Sequence, residues 1–325
     1  MPASETLALV ESPAQLLNAV EWLSASPDME ADVVVLAPRR EESRRQLRAT
    51  MQLVAGSRAR VEWCEARQDV RGPGRLLAGL VPRVRRARRL VLGDPFSGLI
   101  QSLLTAFTGD VVVVVDDGSA TLEFADRIAA GEAMVRWHVA EPGALQRRRA
   151  AMTTSVLTSR PLELFTAMPL DDVGLRVRRN RYRWLRTLHP APQVVDGAVL
   201  VGSSLVETGV VARQPYLEAV ARLAEEEGLR RYLAHRREDE TKLGVVADLG
   251  LEVQRLSLPL EVELAAGPVE RLVLSFPSTV LVTLPIVLEG TGVEVRSLPV
   301  PPGWLRPGAG NAALEFLDRV ARRGH

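Results

Sequence analysis

The stretch Val111-Val112-Val113-Val114-Val115-Asp116-Asp117-Gly118 decides the fold. Five consecutive valines carry neither a helical stripe nor an alternation, so they read as a short strand buried on both faces of a parallel sheet. Two carboxylates and a glycine end it, and a helix is expected from about Ser119. In open parallel sheets ligands bind outside the carboxyl ends of the strands, which makes Asp116 and Asp117 candidates for chemistry. The other reading is that Asp117 or Ser119 caps the next helix.

Working outward, the same strand–turn–helix unit recurs. Thr6–Val10 reads as a strand, followed by Glu11-Ser12-Pro13 and a helix with Leu16, Leu17, Val20 and Leu23 on one face. Ser12 suits the cap of that helix and Pro13 its first turn. Strands are expected at Asp32–Ala37, Arg60–Trp63 and Arg89–Asp94, with helices at Glu41–Val54, Leu76–Arg88, Phe96–Phe107 and Ser119–Ala130. Such alternation with short loops is the signature of a doubly wound parallel sheet. From Glu141 to Arg160, and again from Asp171 to Pro192, prolines and arginine runs (Arg147-Arg148-Arg149, Arg176 to Arg183) hide any period. This region reads as a connection between domains.

Alternation resumes at Ala198–Gly202, with strands at Arg230–Ala234, Leu251–Leu256, Arg271–Ser275, Pro285–Leu288 and Val293–Val295. Helices are expected at Pro215–Glu227, Glu238–Asp248, Pro259–Glu263, from Ser278 to Leu284, and at Asn311–Arg322. The division is then residues 1–160 as an N-terminal Rossmann-like domain, 161–196 as an irregular connection, and 197–325 as a C-terminal Rossmann-like domain.

Composition excludes several classes. With 46% hydrophobic and 25% charged residues and a formal net charge of +1, the chain is an ordinary globular protein without the basic excess of a nucleic-acid binder. Its single cysteine, Cys64, rules out an internal disulfide or thiolate cage, and the four histidines lack zinc-site spacing. No apolar run reaches the ~18 residues of a membrane span, and the first residues lack a secretory pattern. The expectation is a cytoplasmic protein; the arginine runs allow peripheral membrane contact, and an oligomer is left open. Lys242 is the only lysine, which reads as a bias toward arginine.

Four turns share the place where a strand ends and a helix begins. They are Asp116-Asp117-Gly118, Gly202-Ser203-Ser204 with Glu207, His235-Arg236-Arg237-Glu238, and Ser275-Phe276-Pro277-Ser278-Thr279. Helix N-termini, hydroxyls and guanidinium forks all suit phosphate. Each has a plainer reading: His235 as a structural hydrogen-bonder, Ser275–Thr279 as a cap, Glu261 as a first-turn acid. Two adjacent acids without a third ligand make a weak metal site. No GxGxxG follows the first strand and no Walker sequence occurs, which weighs against a dehydrogenase or a P-loop ATPase.

These segments resemble the bacterial sialyltransferases of glycosyltransferase family 52 and their polysialyltransferase relatives. Glu11-Ser-Pro-Ala-Gln-Leu-Leu-Asn-Ala-Val20 looks like their N-terminal signature, and Val115-Asp-Asp-Gly118 like their acid-acid-glycine motif. Tyr232-Leu-Ala-His-Arg-Arg-Glu238 is similar to their Tyr-x-Pro-His-x-x-Glu region, with Ala234 and Arg236 departing from the usual prolines. Leu200 to Glu207 resembles the strand and turn before it. Pro259-Leu-Glu261 and Ser275-Phe-Pro-Ser-Thr279 correspond to a ribose-binding acid and a phosphate-binding motif. The matches are short, keep the family's order and span nearly the whole chain.

The resemblance implies an α/β GT-B fold, two Rossmann-like domains facing a central cleft. It also implies inverting transfer of a sialic acid or related nonulosonic acid from a CMP-sugar to a glycan or glycosylated acceptor. No cofactor and no required metal are expected. Asp117, or Asp116, is then the base that takes the acceptor proton, and His235, when protonated, donates to the departing phosphate. Ser12, Gly202, Ser203, Arg236, Glu261, Ser275, Ser278 and Thr279 form the donor-binding set, with Glu207 and Gly118 as further candidates. The acceptor would meet loops such as Asp94–Gly98 and Arg67–Gly74. The alternatives are a GT-B transferase using a UDP-, GDP- or TDP-sugar, and a non-catalytic glycan-binding protein of the same fold.

Overall fold

The computed structural model describes residues 5–65, 72–136, 141–170 and 174–306. The expected closing helix at 311–322, His138 and His325, and Arg67 to Arg71 of the Arg67–Gly74 loop lie outside the described residues. The chain divides into two compact units after Trp184.

The first unit runs β1 (Thr6–Val10), α1 (Pro13–Ser24), β2 (Ala31–Leu36), α2 (Glu41–Leu53), β3 (Ala59–Cys64), α3 (Gly72–Arg86), β4 (Arg89–Leu92), α4 (Gly98–Leu104), β5 (Val111–Val115), α5 (Ser119–Ala129), α6 (Ala144–Thr158), β6 (Leu162–Thr166) and β7 (Arg176–Arg179). Its seven strands lie in the order β3-β2-β1-β4-β5-β6-β7, all parallel. The valine strand β5 sits inside this sheet, with Val112 to Val115 buried. Val112 and Val114 join one hydrophobic cluster and Val113 and Val115 the other, so both faces are covered. That is the physical reason its sequence is apolar without alternation.

The short helix α7 (Arg183–Leu188) crosses the division. The second unit continues with β8 (Val194–Val201), α8 (Arg213–Glu226), β9 (Leu229–Ala234), α9 (Glu240–Asp248), β10 (Glu252–Arg255), α10 (Leu260–Ala266), β11 (Val269–Ser275), α11 (Val280–Val287) and β12 (Glu294–Ser297). Its five strands are ordered β10-β9-β8-β11-β12, again all parallel. No helix among the described residues is long and apolar enough to cross a membrane.

Three expectations change. The connection expected over 161–196 instead contains β6 and β7, which extend the first sheet. The arginines of β7 hid it: Arg178 stacks over the rings of Trp22 and Phe165 and bonds the Trp22 carbonyl, so a charged residue packs where an apolar one would be expected. An edge strand that carries charge is also protected from pairing with another chain. Second, residues 144–158 form α6, whose buried face is Ala150, Thr153, Thr154 and Leu157. Thr154 and Thr158 bond back to carbonyls four residues earlier, which lets polar residues occupy a helix and erases the apolar stripe. Third, Pro285–Leu288 is no strand; Pro285 lies exposed within α11.

Candidate functional site

In a sheet of either unit, the strand order reverses at one place. The chain builds outward from β1 through β2 to β3 and then returns to the other side of β1 with β4. The second unit does the same between β8 and β11. A crevice opens outside the carboxyl ends of the strands at such a switch point, and ligands of open α/β sheets bind there. The segments at issue are Glu11-Ser12 and Gly93-Asp94 in the first unit, with Asp116-Asp117 one strand further on. In the second they are Gly202-Ser203 and Phe276–Thr279, with His235 one strand further on.

The two acids after β5 have different surroundings. Asp116 is 1% exposed and saturated. Its Oδ1 accepts from Thr121 Oγ1 (2.7 Å) and the Gly118 amide (2.9 Å), its Oδ2 from Thr166 Oγ1 (2.7 Å) and the Ala167 amide (3.1 Å). Burial pushes its carboxyl above the usual range, against the pull of these donors. Asp116 is therefore a structural strut that joins the ends of β5 and β6 to α5, and the structure removes it as a candidate base. It also takes the local turn role expected of Asp117 or Ser119. Gly118 adopts φ 65°, a conformation open to glycine, and places its amide on Asp116.

Asp117 is partly exposed, and its Oδ1 accepts from the Ser12 hydroxyl at 3.3 Å. Ser12 caps α1 as its sequence suggests, accepting from the Gln15 amide. Expected among the donor-binding residues, Ser12 instead orients Asp117. Behind them Asn18 bonds the Asp116 carbonyl at 2.9 Å and accepts from Asn180 at 2.9 Å, which ties α1 to the ends of β5 and β7. Nearby, Ser97 donates to Glu11 (3.0 Å), and Asp94 pairs with Arg136 at 2.6 Å. The Asp94–Gly98 loop is thus held at both ends of its first turn.

The second unit builds its edge on a buried polar chain. Glu238, 4% exposed, accepts from Tyr232 (2.5 Å), from the His235 amide (2.6 Å) and from Lys242 (2.8 Å). The hydroxyls of Tyr232 and Tyr216 lie 2.8 Å apart, and the Ser203 amide donates to Tyr216 at 3.3 Å. Burial raises the Glu238 carboxyl and both phenols above their ordinary values. Gly202, expected to contact the donor, instead permits a close approach within the unit, since a Cβ there would overlap the Glu238 carboxylate and stand 2.8 Å from the Tyr232 ring. Ser203 is likewise committed, its hydroxyl accepting from Leu205 at 3.2 Å. Glu207 pairs with Lys242 at 3.3 Å.

Above this chain stand the groups that face outward. His235 is partly buried, and its Nδ1 accepts from the Arg237 amide at 3.1 Å. Burial, with Arg236, Arg237 and Lys242 nearby, lowers its imidazole to about 4. At neutral pH the ring is uncharged and carries its proton on Nε2. This differs from the protonated ring that the sequence reading allowed for. Arg236 is exposed beside it.

After β11, Ser275 is 2% exposed, donates to the Phe276 carbonyl (2.8 Å) and shares a 3.2 Å contact with the Ser278 hydroxyl. These bonds shape the turn. Ser278 and Thr279 are partly exposed, and Thr279, at the cap of α11, makes no capping bond with its side chain. Glu261 accepts from Thr283 at 2.8 Å and so joins α10 to α11. Among the described residues no group of three His, Cys, Asp or Glu side chains could hold a metal ion.

Sequence reasoning missed Lys242, Tyr216, Thr121, Thr166 and the Asn18–Asn180 pair. Lys242 carried a signal, since a lone lysine among forty arginines stands four residues after a strand-end glutamate. Thr166 and the Asn18–Asn180 pair are single polar residues whose partners lie far away in sequence, whereas Thr121 and Tyr216 have nearer partners in no recognisable motif.

No family model matches the chain, and no curated protein matches it. Among solved structures, a Listeria monocytogenes protein assigned as a UDP-N-acetylglucosamine 2-epimerase is similar over 100% of this chain and 91% of that one, with 12% identity and a TM-score of 0.51. Os79 from O. sativa, solved with UDP and deoxynivalenol-3-glucoside, is similar over 98% of this chain and 94% of its own at 12% identity, with a TM-score of 0.46. The first likeness shows the fold, α/β of the GT-B kind with two Rossmann-like units.

Proposed function

We propose that the protein is a glycosyltransferase that uses a nucleotide-activated sugar. The observation that carries this reading is the paired set of strand-end groups: one partly exposed, oriented carboxylate in the first unit, and uncharged donors with flanking arginines in the second. Transfer requires a base for the acceptor hydroxyl, and Asp117, held by Ser12, is that base. It also requires stabilisation of the departing phosphate. Nε2–H of His235, the hydroxyls of Ser278 and Thr279, and Arg236 supply it without metal. A neutral imidazole suits this role, because it donates a hydrogen bond without needing to titrate. Glu261 accepts from a ribose hydroxyl.

The donor reading is a UDP-sugar, supported by the fold-level likeness to a protein assigned as acting on UDP-N-acetylglucosamine. A second reading, a CMP-nonulosonate donor and sialyl transfer, is favoured by the ordered motifs Val115–Gly118, Tyr232–Glu238 and Ser275–Thr279. A thermal-shift series with UDP, CMP, GDP and TDP separates them, since a ligand at about 100 times its Kd adds about 2.7 kcal/mol to stability. The expected result is a rise with UDP or CMP, followed by turnover of the matching sugar nucleotide. If none of the four raises the melting temperature, the protein is no nucleotide-sugar enzyme.

A further inference from the structure

The only lysine of the chain is fully buried at the carboxyl edge of the second sheet, and the chemistry above does not use it. An ammonium has three protons, and each has an acceptor here. Nζ lies 2.8 Å from the Ser203 carbonyl, 2.8 Å from Glu238 Oε1 and 3.3 Å from Glu207 Oε1. The ammonium also stands 4.1 Å from the centre of the Tyr216 ring, against which the Phe276 ring packs at 5.0 Å.

Three turns therefore converge on one charge. Ser203 follows β8 and is held directly. His235 follows β9 and is held through Glu238, which accepts its amide at 2.6 Å. Phe276 follows β11 and packs on the ring that the ammonium faces. An arginine would not serve: its planar fork is larger and cannot point three donors at a carbonyl and two carboxylates around one atom. This explains why a chain that otherwise uses arginine keeps one lysine.

We propose that Lys242 is a positioning residue: its ammonium locks the turns after β8 and β9 to each other and thereby sets the affinity of the second unit for nucleotide. The proposal rests on the nucleotide reading given above, and its test keeps the two apart. Lys242→Met retains the length and the packing on Tyr216 but removes the charge and all three donors. Two quantities are read at a temperature where the variant is folded. One is the Kd for UDP and for CMP. The other is hydrogen exchange at the Ser203, Leu205 and His235 amides, which donate to Tyr216, Ser203 and Glu238.

Expected are a Kd weakened about tenfold or more, and exchange at those three amides accelerated about tenfold relative to core amides of β8 such as Val199 and Leu200. A purely structural lysine would lower the melting temperature and leave the Kd of the folded protein unchanged. Unchanged Kd, or exchange that quickens only in step with the whole unit, overturns the proposal. If the unaltered protein binds neither UDP nor CMP, the nucleotide reading fails, and the exchange measurement alone decides whether Lys242 locks the turns. Should Lys242→Met not fold, Lys242→Gln, which keeps one donor for Ser203 and drops the charge, is measured in the same way.

Discussion

The hydroxyl of Ser12 lies 3.3 Å from Oδ1 of Asp117, a contact between residues 105 apart in sequence. It joins the turn after β1 to the turn after β5, across the end of β4. Asp116, its immediate neighbour, points the other way into four hydrogen bonds. Adjacent acids at a strand end thus divide the labour, because successive side chains of an extended chain face opposite sides.

The division predicts opposite phenotypes. Asp117→Asn should leave the melting temperature within a few degrees of the parent and lower turnover by about 10²–10⁴-fold, the usual worth of a general base. Asp116→Ala should strand two hydroxyls and two amides, and destabilise the fold by about 3 kcal/mol or more. Ser12→Ala removes both the α1 cap and the orienting contact, for a loss of about 1 kcal/mol in stability together with a drop in turnover. Denaturant titration and initial rates of the three variants check this. Full activity in Asp117→Asn would end the assignment of the base.

Gly202 predicts a second pattern. Its backbone could accommodate a larger residue, but the space for a Cβ is filled by the Glu238 carboxylate and the Tyr232 ring. Gly202→Ala must push Glu238 off the His235 amide or shift β8. A cost of about 1–3 kcal/mol is expected, as for other overpacked sites. Glu238→Ala vacates that space but strands Lys242, so the double variant Gly202→Ala/Glu238→Ala should be less destabilised than the sum of the singles. Additive losses would show that the two residues do not compete for one space.

How much of this was legible follows from where each residue's partners are. The valine strand, the cap at Ser12 and the turns at Gly202, His235 and Ser275 announce themselves through local pattern, and the alternation of strands and helices follows. β7 did not, because Arg178 lays its guanidinium over the rings of Trp22 and Phe165, which only the fold brings together. α6 did not, because threonines fill its buried face. The distinction between Asp116 and Asp117 was beyond sequence for the same reason: Thr121 is close by, but Thr166 is a strand away. Lys242 was read as composition, and its meaning depends on Ser203 and Glu207 arriving from the turn after β8 and Glu238 from the turn after β9.

His235 predicts a pH dependence. Its imidazole sits at about 4 in the fold and at 6.5 when free of it. Between these values the unfolded chain binds more protons than the native one, so stability falls as the pH is lowered through this window and returns above it. The full effect is on the order of 3 kcal/mol. Glu238 and Asp116, whose carboxyls are raised by burial, work in the opposite sense. The comparison with His235→Asn isolates the histidine: the parent should lose more stability than the variant between pH 6.5 and pH 4. Parallel stability curves would mean that His235 is freely protonated in the native state.

Lys242 allows a measurement that needs no substitution. As the only lysine, it gives a single side-chain amine to follow by mass spectrometry. An amine with no exposed surface and three acceptors reacts with acetylating reagent only when α9 or the whole unit opens. Its labelling should therefore be slower than that of a free amine by a factor on the order of 10³ or more, the reciprocal of the fraction unfolded. Urea should accelerate it along the unfolding transition, and not before. UDP or CMP, whichever binds, should slow it further, because a ligand on the turns after β8 and β9 makes opening rarer by mass action. Labelling at the free-amine rate in buffer would show that the lysine reaches solvent in the native state and that the chain Lys242–Glu238–Tyr232–Tyr216 is not closed.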